Sequence, residues 1–240
     1  MQQENEKTIA DLRDRLAAIR AQIERAALRA GRKPDEIRLV AVSKTHPTDI
    51  LKAAINVGAT HFGENRVQEA EAKIDEIGRE RATWHLIGNL QANKARKAAR
   101  LFDLIHSIDS LDLAQRLERI CEEENREKMD VLIQVDLAGE ATKSGAPEAD
   151  LPALAQYLRK CAHLNLRGLM IIPPFFDDAE QTRPFFRRLR ELRDEIFGGE
   201  FAELSMGMSH DFEVAIEEGA TIVRVGTAIF GERGNLKSQI

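Results

Sequence analysis

Residues 39–47, "LVAVSKTHP", form an apolar, β-branched run that ends on a lysine. Such a run has the composition of a strand buried on both faces, and Pro47 followed by Asp49 is a helix start. A strand that passes through a polar turn into a helix is the repeating unit of a parallel sheet. The same phrase recurs along the chain. Candidate strands lie at 37–43, 59–63, 83–88, 104–108, 131–137, 166–172, 202–207 and 221–226. Between them run amphipathic stretches such as "PTDILKAAINVG", "SLDLAQRLERICEEE", "APEADLPALAQYLRKCA" and "AEQTRPFFRRLRELRDEIF". Ser110 followed by Asp112 and Pro147 followed by Glu148 repeat the helix-start signal. Eight such units predict an α/β chain folded as a closed (β/α)8 TIM barrel, with an open doubly wound sheet as the alternative.

Ahead of the first strand, residues 4–30 place Ile9, Leu12, Leu16, Ile19 and Ile23 on one helical stripe, ended by Gly31 and Pro34. The stripe spans few heptads, so the helix is expected to pack on the barrel rather than form a coiled coil. Residues 1–240 then make a single domain.

The chain is 43% hydrophobic and 31% charged, with a net charge of −5. That balance argues against a general affinity for nucleic acid or anionic membrane. The exception is "QANKARKAAR" (91–100), four positive charges without an acid, which is read as a solvated helix face rather than an anion site. The acidic "CEEENREK" is read the same way. No signal-peptide core and no stretch of about 18 apolar residues is present, so a cytoplasmic protein is expected. Cys121 and Cys161 lie far apart without metal-type spacing, and both are expected reduced and buried. The Gly-x-Gly-x-x-Gly turn, the His-Glu-x-x-His helix, the Walker loop and the nucleophile elbow are missing from the sequence, and no metal is expected.

In a barrel, chemistry sits at the carboxyl ends of the strands. Lys44 ends the first strand, where its amine either enters the active-site mouth or reaches solvent. "SMGMSHDFEVAIEEG" runs through Gly207 into a helix beginning near Ser209, and "VRVGTAIFG" places Gly226 and Thr227 at another strand-to-helix turn. Loops after strands seven and eight are the usual phosphate cradle of this barrel. Within "TIVRVG", Ile222, Arg224 and Gly226 share one face and the valines the other. The valine face suits the helix shell and turns Arg224 inward, where it needs an acceptor, either a structural carboxylate or a ligand atom.

The blocks "LVAVSKTHP", "HFGENRVQEA", "WHLIGNLQANK", "SIDS", "VDLAGEATKSGA", "GLMIIPP" and "LSMGMSHDFEVAIEEGATIVRVGTAIFG" resemble, in order and over nearly the whole chain, the YggS/PROSC family of pyridoxal phosphate homeostasis proteins. The resemblance implies a fold-type III barrel like the amino-terminal domain of alanine racemase, binding pyridoxal 5′-phosphate (PLP). Carried over by position, Lys44 would hold the cofactor as an aldimine. Ser209, Gly226 and Thr227 would bind its phosphate, and Arg224 would sit beside the pyridine nitrogen. Asn65, His85 and Met206 would line the pocket, although His85 is equally compatible with a satisfied core histidine. Lys143 matches a lysine near the mouth that would accept or pass on the cofactor, and is equally compatible with a solvated loop. Departures are confined to the rim: Ile171 in "MIIPP", Asn89 in "GNLQ" and His210.

A racemase of this cofactor needs two bases, the second a tyrosine from a partner's carboxyl-terminal domain. Here the chain runs to "GERGNLKSQI" after the last barrel helix, and Tyr157, its one tyrosine, falls on a shell helix. The expected function is therefore a PLP carrier, a monomer or weak dimer, that buffers PLP and delivers it to apoenzymes. The alternatives are a weak racemase-like enzyme and a Schiff-base aldolase on a sugar phosphate.

Overall fold

The computed structural model describes residues 2–139, 144–200 and 202–231, with side chains from residue 6 onward. Eight parallel strands form the barrel: β1 (Arg38–Val42), β2 (His61–Glu64), β3 (Thr83–Leu86), β4 (Leu104–Ile108), β5 (Met129–Asp136), β6 (Leu164–Met170), β7 (Glu203–Ser205) and β8 (Ile222–Val225). Each pairs with its neighbours in chain order, β8 pairs with β1, and β4 pairs with β5, which closes the cylinder. A two-residue strand, Ala146–Pro147, adds to the end of β5. All eight strands fall where the sequence placed them, and the barrel rather than the open sheet is formed.

A helix precedes β1 and one follows every strand: α1 (Gln2–Arg29), α2 (Thr48–Asn56), α3 (Val67–Ile77), α4 (Ala95–Leu101), α5 (Leu111–Glu123), α6 (Leu151–Lys160), α7 (Arg183–Phe197), α8 (Phe212–Glu217) and α9 (Thr227–Phe230). Ser110 caps α5 as its spacing requires, its hydroxyl accepting the Leu113 N–H at 3.3 Å. Two starts are later than expected. A single 3-10 turn, Glu148–Asp150, separates Pro147 from α6. The helix expected near Ser209 begins at Phe212, because the Asp211 carboxylate accepts the Met208 N–H at 2.6 Å and ties 208–211 into a turn first.

α1 lays Leu12, Leu16, Ile19 and Ile23 against the barrel, packing on α2, α8 and α9. Arg29 anchors it to Glu213 and Glu217 of α8 at 2.8 and 3.0 Å. Strand alternation divides the core. Ala41, Trp84, Leu86, Val223 and Val225 join the shell between barrel and helices, while Val40, Leu104, Leu132, Met170 and Ile222 form a separate apolar layer inside the barrel. The two charge runs noted in the sequence meet each other. Arg96 and Arg100 of α4 pair with Glu123 and Glu124, and Lys97 pairs with Glu71. Cys121 is buried and Cys161 half-buried, and burial pushes both thiols up to about 11, so neither is a ready thiolate.

Candidate functional site

Lys44 follows β1 at the carboxyl end of the barrel and is half-buried. Its turn is held in an unusual shape: Thr45 has φ +68°, a left-handed conformation that costs a β-branched residue about 1–2 kcal/mol. A buried ion cluster supports that turn from the α3 side. Lys73 Nζ donates at 2.7 Å to the Ser43 carbonyl, to Glu64 Oε1 and to Glu69 Oε1. Ser43 Oγ donates to the same Glu64 oxygen at 2.6 Å, and the Thr45 amide donates to Glu69 Oε1. Burial pushes the Glu64 carboxyl up despite Lys73, and Glu64 Oε2 has no hydrogen-bond partner among the described residues. Burial works against the Glu69 carboxylate too, yet the bonds from Lys73 and the Thr45 amide hold it below the usual range. The backbone on both sides of Lys44 is thus bonded to one clamp.

Across the adjoining strand, Arg224 points into the barrel as the alternation required. It is 4% exposed, and its acceptors are Ser205 Oγ at 2.6 Å and the Ile171 carbonyl at 2.8 Å. Among the described residues no carboxylate bonds to it, which goes against the simpler of the two expectations. Burial lowers its guanidinium to about 10, with Asp211 the charge opposing that, so it stays a cation at neutral pH. Two of its five N–H groups are spent on these bonds. One step past the Ala41–Val225 pair, a Cβ on Gly226 would lie 3.3 Å from the Val42 carbonyl, so this loop stands directly beside the end of β1. Gly207 at φ +91° leaves no room for a side chain either, a Cβ there meeting Ala215 Cβ at 2.6 Å. Ser209 Oγ accepts the Gly226 N–H at 3.2 Å and so ties the loops after β7 and β8 together. Thr227 next to it is exposed.

The remaining predicted residues divide. Asn65 is half-buried at the carboxyl end of β2, its backbone against Gly88. Met206 is fully buried in the shell core, because Ser205 takes the inward position next to it, so its side chain does not line the mouth. His85 faces inward, opposite to Trp84, but both its ring nitrogens are bonded, to His61 and His106. Lys143 lies outside the described residues. Sequence reasoning missed Glu64, Lys73, His61, His106 and Ser205. Only Ser205 had a signal, as the inward neighbour two residues before Gly207.

A lysine at the end of β1, an inward arginine on β8 and glycine-lined loops after β7 and β8 define a fold-type III cofactor barrel. The model of the alanine racemase N-terminal domain matches residues 15–234. The chain is 44% identical over 223 residues to the pyridoxal phosphate homeostasis protein of Aquifex aeolicus, covering 92% of this chain and 97% of that one. It is 43% identical to the protein of that name from Escherichia coli K12 over 235 residues, covering 93% and 97%. PipY of Synechococcus elongatus, solved with PLP bound, superposes with a TM-score of 0.82 at 42% identity, covering 92% of this chain and all of PipY. Alanine racemase of Corynebacterium glutamicum shares the fold at a TM-score of 0.62 and 20% identity. The chain belongs to the alanine racemase N-terminal domain family and, within it, to the pyridoxal phosphate homeostasis proteins. Among the described residues no helix is long and apolar enough to cross a membrane, and no cluster of His, Cys, Asp or Glu could hold a metal ion.

Proposed function

We propose that this chain is a PLP carrier that holds the cofactor through Lys44, buffers it in the cytoplasm and delivers it to apoenzymes. The observation that carries the reading is that Lys44 stands just past the end of β1, beside the neighbouring β8 whose inward Arg224 has donors to spare. The loops beside them fit a phosphate, since Gly207 brings backbone close where a side chain would collide and Gly226 where one would be tight. PLP supplies an aldehyde that an amine takes up reversibly. Lys44 supplies the amine, fixed by the clamp on its turn. Ser209, Gly226 and Thr227 hold the phosphate, and Asn65 lines the wall.

Arg224 donates toward the pyridine nitrogen and, as a cation, opposes protonation there, which weakens the cofactor as an electron sink. A weak sink suits storage better than racemisation. The one tyrosine of the sequence, Tyr157, is half-buried on α6 against the shell core, so this chain offers no tyrosine base at the mouth. The expected outcome is a visible absorption band from PLP that borohydride fixes on Lys44 and that Lys44→Ala abolishes. Thr227→Ala keeps the adduct and loses about 1.5–3 kcal/mol of affinity, tenfold or more in Kd. Equal trapping in Lys44→Ala overturns the assignment, and exchange of an amino acid's α-hydrogen in deuterated water that depends on Lys44 favours the racemase instead.

A further inference from the structure

Three histidines climb the inside of the barrel on consecutive strands. Gly63, one inward step above His61, pairs with His85, and Leu104, one inward step below His106, pairs with His85 as well. Each ring therefore sits a step nearer the mouth than the last. A Cβ on Gly63 would come within 2.9 Å of Val40 Cγ1, which places this position inside the barrel beside its apolar layer. His61 Nδ1 is 3.0 Å from His85 Nε2, His85 Nδ1 is 2.9 Å from His106 Nε2, and His106 Nδ1 is 2.9 Å from Ser205 Oγ. Arg224 Nη1 meets that same Oγ.

The direction of the row follows from its ends. Arginine only donates, so Ser205 Oγ accepts from Arg224. The one hydroxyl hydrogen of Ser205 then goes to its other neighbour among the described residues, His106 Nδ1. His106 must carry its proton on Nε2 and donate it to His85 Nδ1, and His85 must donate from Nε2 to His61 Nδ1. Burial drives the imidazoles of His85 and His106 well below 6.5, with their charged neighbours adding to it, so both rings are neutral and one tautomer is enforced on each. The last ring, His61, is half-buried and lines a cavity of about 800 Å³ in the floor of the barrel, together with Arg38, Arg167, Glu203 and Thr60.

We propose that Ser205 is a positioning residue for Arg224, and that His106, His85 and His61 form a one-way hydrogen-bond relay that carries the state of Arg224 to the barrel floor. Its second half rests on the placement of Arg224 beside the cofactor ring. No proton is transferred. When Arg224 turns donor strength toward a ligand, its bond to Ser205 changes, and each N–H polarises the next along the row.

Long-range ¹H–¹⁵N spectra of the histidine rings test the first half on protein stripped of PLP. All three rings are expected protonated on Nε2, in the wild type and in Ser205→Thr, which keeps the hydroxyl. Ser205→Ala removes the donor to His106 and is expected to leave His106 and His85 as tautomer mixtures. A wild-type His106 protonated on Nδ1, or a Ser205→Ala spectrum with the wild-type pattern, overturns the proposal. PLP is then added and its occupancy checked by borohydride trapping on Lys44. The His61 ring nitrogens are expected to shift in the wild type and Ser205→Thr, and to stay put in Ser205→Ala. An unmoved His61 with PLP trapped overturns the relay. Absence of trapping in the wild type overturns the carrier reading instead, and the tautomer pattern still decides the role of Ser205.

Discussion

Two buried polar networks reach the mouth of this barrel, and they are built in opposite ways. The one behind Lys44 is ionic: Lys73 is surrounded by Glu64, Glu69 and the Ser43 carbonyl, outside the barrel wall under α3. The one behind Arg224 is neutral, a hydroxyl and three imidazoles inside the barrel. An ionic cluster fixes position strongly but collapses if one member is lost, because a buried charge is left without its counter-charge. A neutral row satisfies each donor with one acceptor and leaves the arginine as the single charge. The first arrangement suits a lysine whose backbone must be held in a strained turn. The second suits a cation that must keep donors available for a ligand.

The largest effect expected on this contrast comes from Lys73→Met. It leaves the fully buried Glu64 facing Glu69 without a cation, and about 3–5 kcal/mol of stability should be lost in urea unfolding. Adding Glu64→Gln should restore most of it, since the second change removes the stranded charge. A Lys73→Met loss below about 1 kcal/mol would mean that the cluster is not ionic, and would break the contrast.

The acid dependence of the two networks has opposite sign. Burial first, and neighbouring charges next, hold His85 and His106 well below 6.5 in the native state. Below about pH 6.5 the unfolded chain takes up protons that these rings refuse, so stability falls as pH falls, by up to about 1.4 kcal/mol per pH unit for each ring. Glu64 does the reverse. Its raised native pKa means that the folded chain keeps a proton which the unfolded chain has lost, so its contribution falls as pH rises. Unfolding free energies at pH 7.5, 6.5 and 5.5 should therefore drop between the last two by up to about 2 kcal/mol, since the unfolded rings are already half protonated at about 6.5. The drop should survive in the Lys73→Met/Glu64→Gln chain. A flat profile would show that the rings take up protons in the folded protein as readily as in the unfolded chain.

This contrast also explains what could be seen in the sequence. Alternation within single strands located the barrel and turned Arg224 inward, because a strand's two faces are written in consecutive residues. The histidine row is assembled from three strands whose register no local pattern states, so His61, His85 and His106 appear as three unrelated histidines. Lys73 was hidden for another reason. With Glu69 four residues before it in "EAEAKIDEIG", it reads as an ordinary solvated helix pair, and only the packing of α3 over the end of β1 buries it.

The smallest effect expected is also the sharpest test of what the ionic clamp does. Thr45 stands at φ +68°, where glycine pays no steric penalty, so Thr45→Gly relieves about 1–2 kcal/mol of strain and loses about 0.5–1 kcal/mol to chain entropy. Net stability should therefore rise by between about 0 and 1.5 kcal/mol. If the clamp exists to hold the Lys44 turn in one shape, the glycine chain should bind PLP more weakly while being as stable or more so, because the turn now samples other conformations before the amine is presented. A matched rise in stability and PLP affinity would instead show that the strain at Thr45 is incidental, and would leave the clamp as a device for joining α3 to β1 alone.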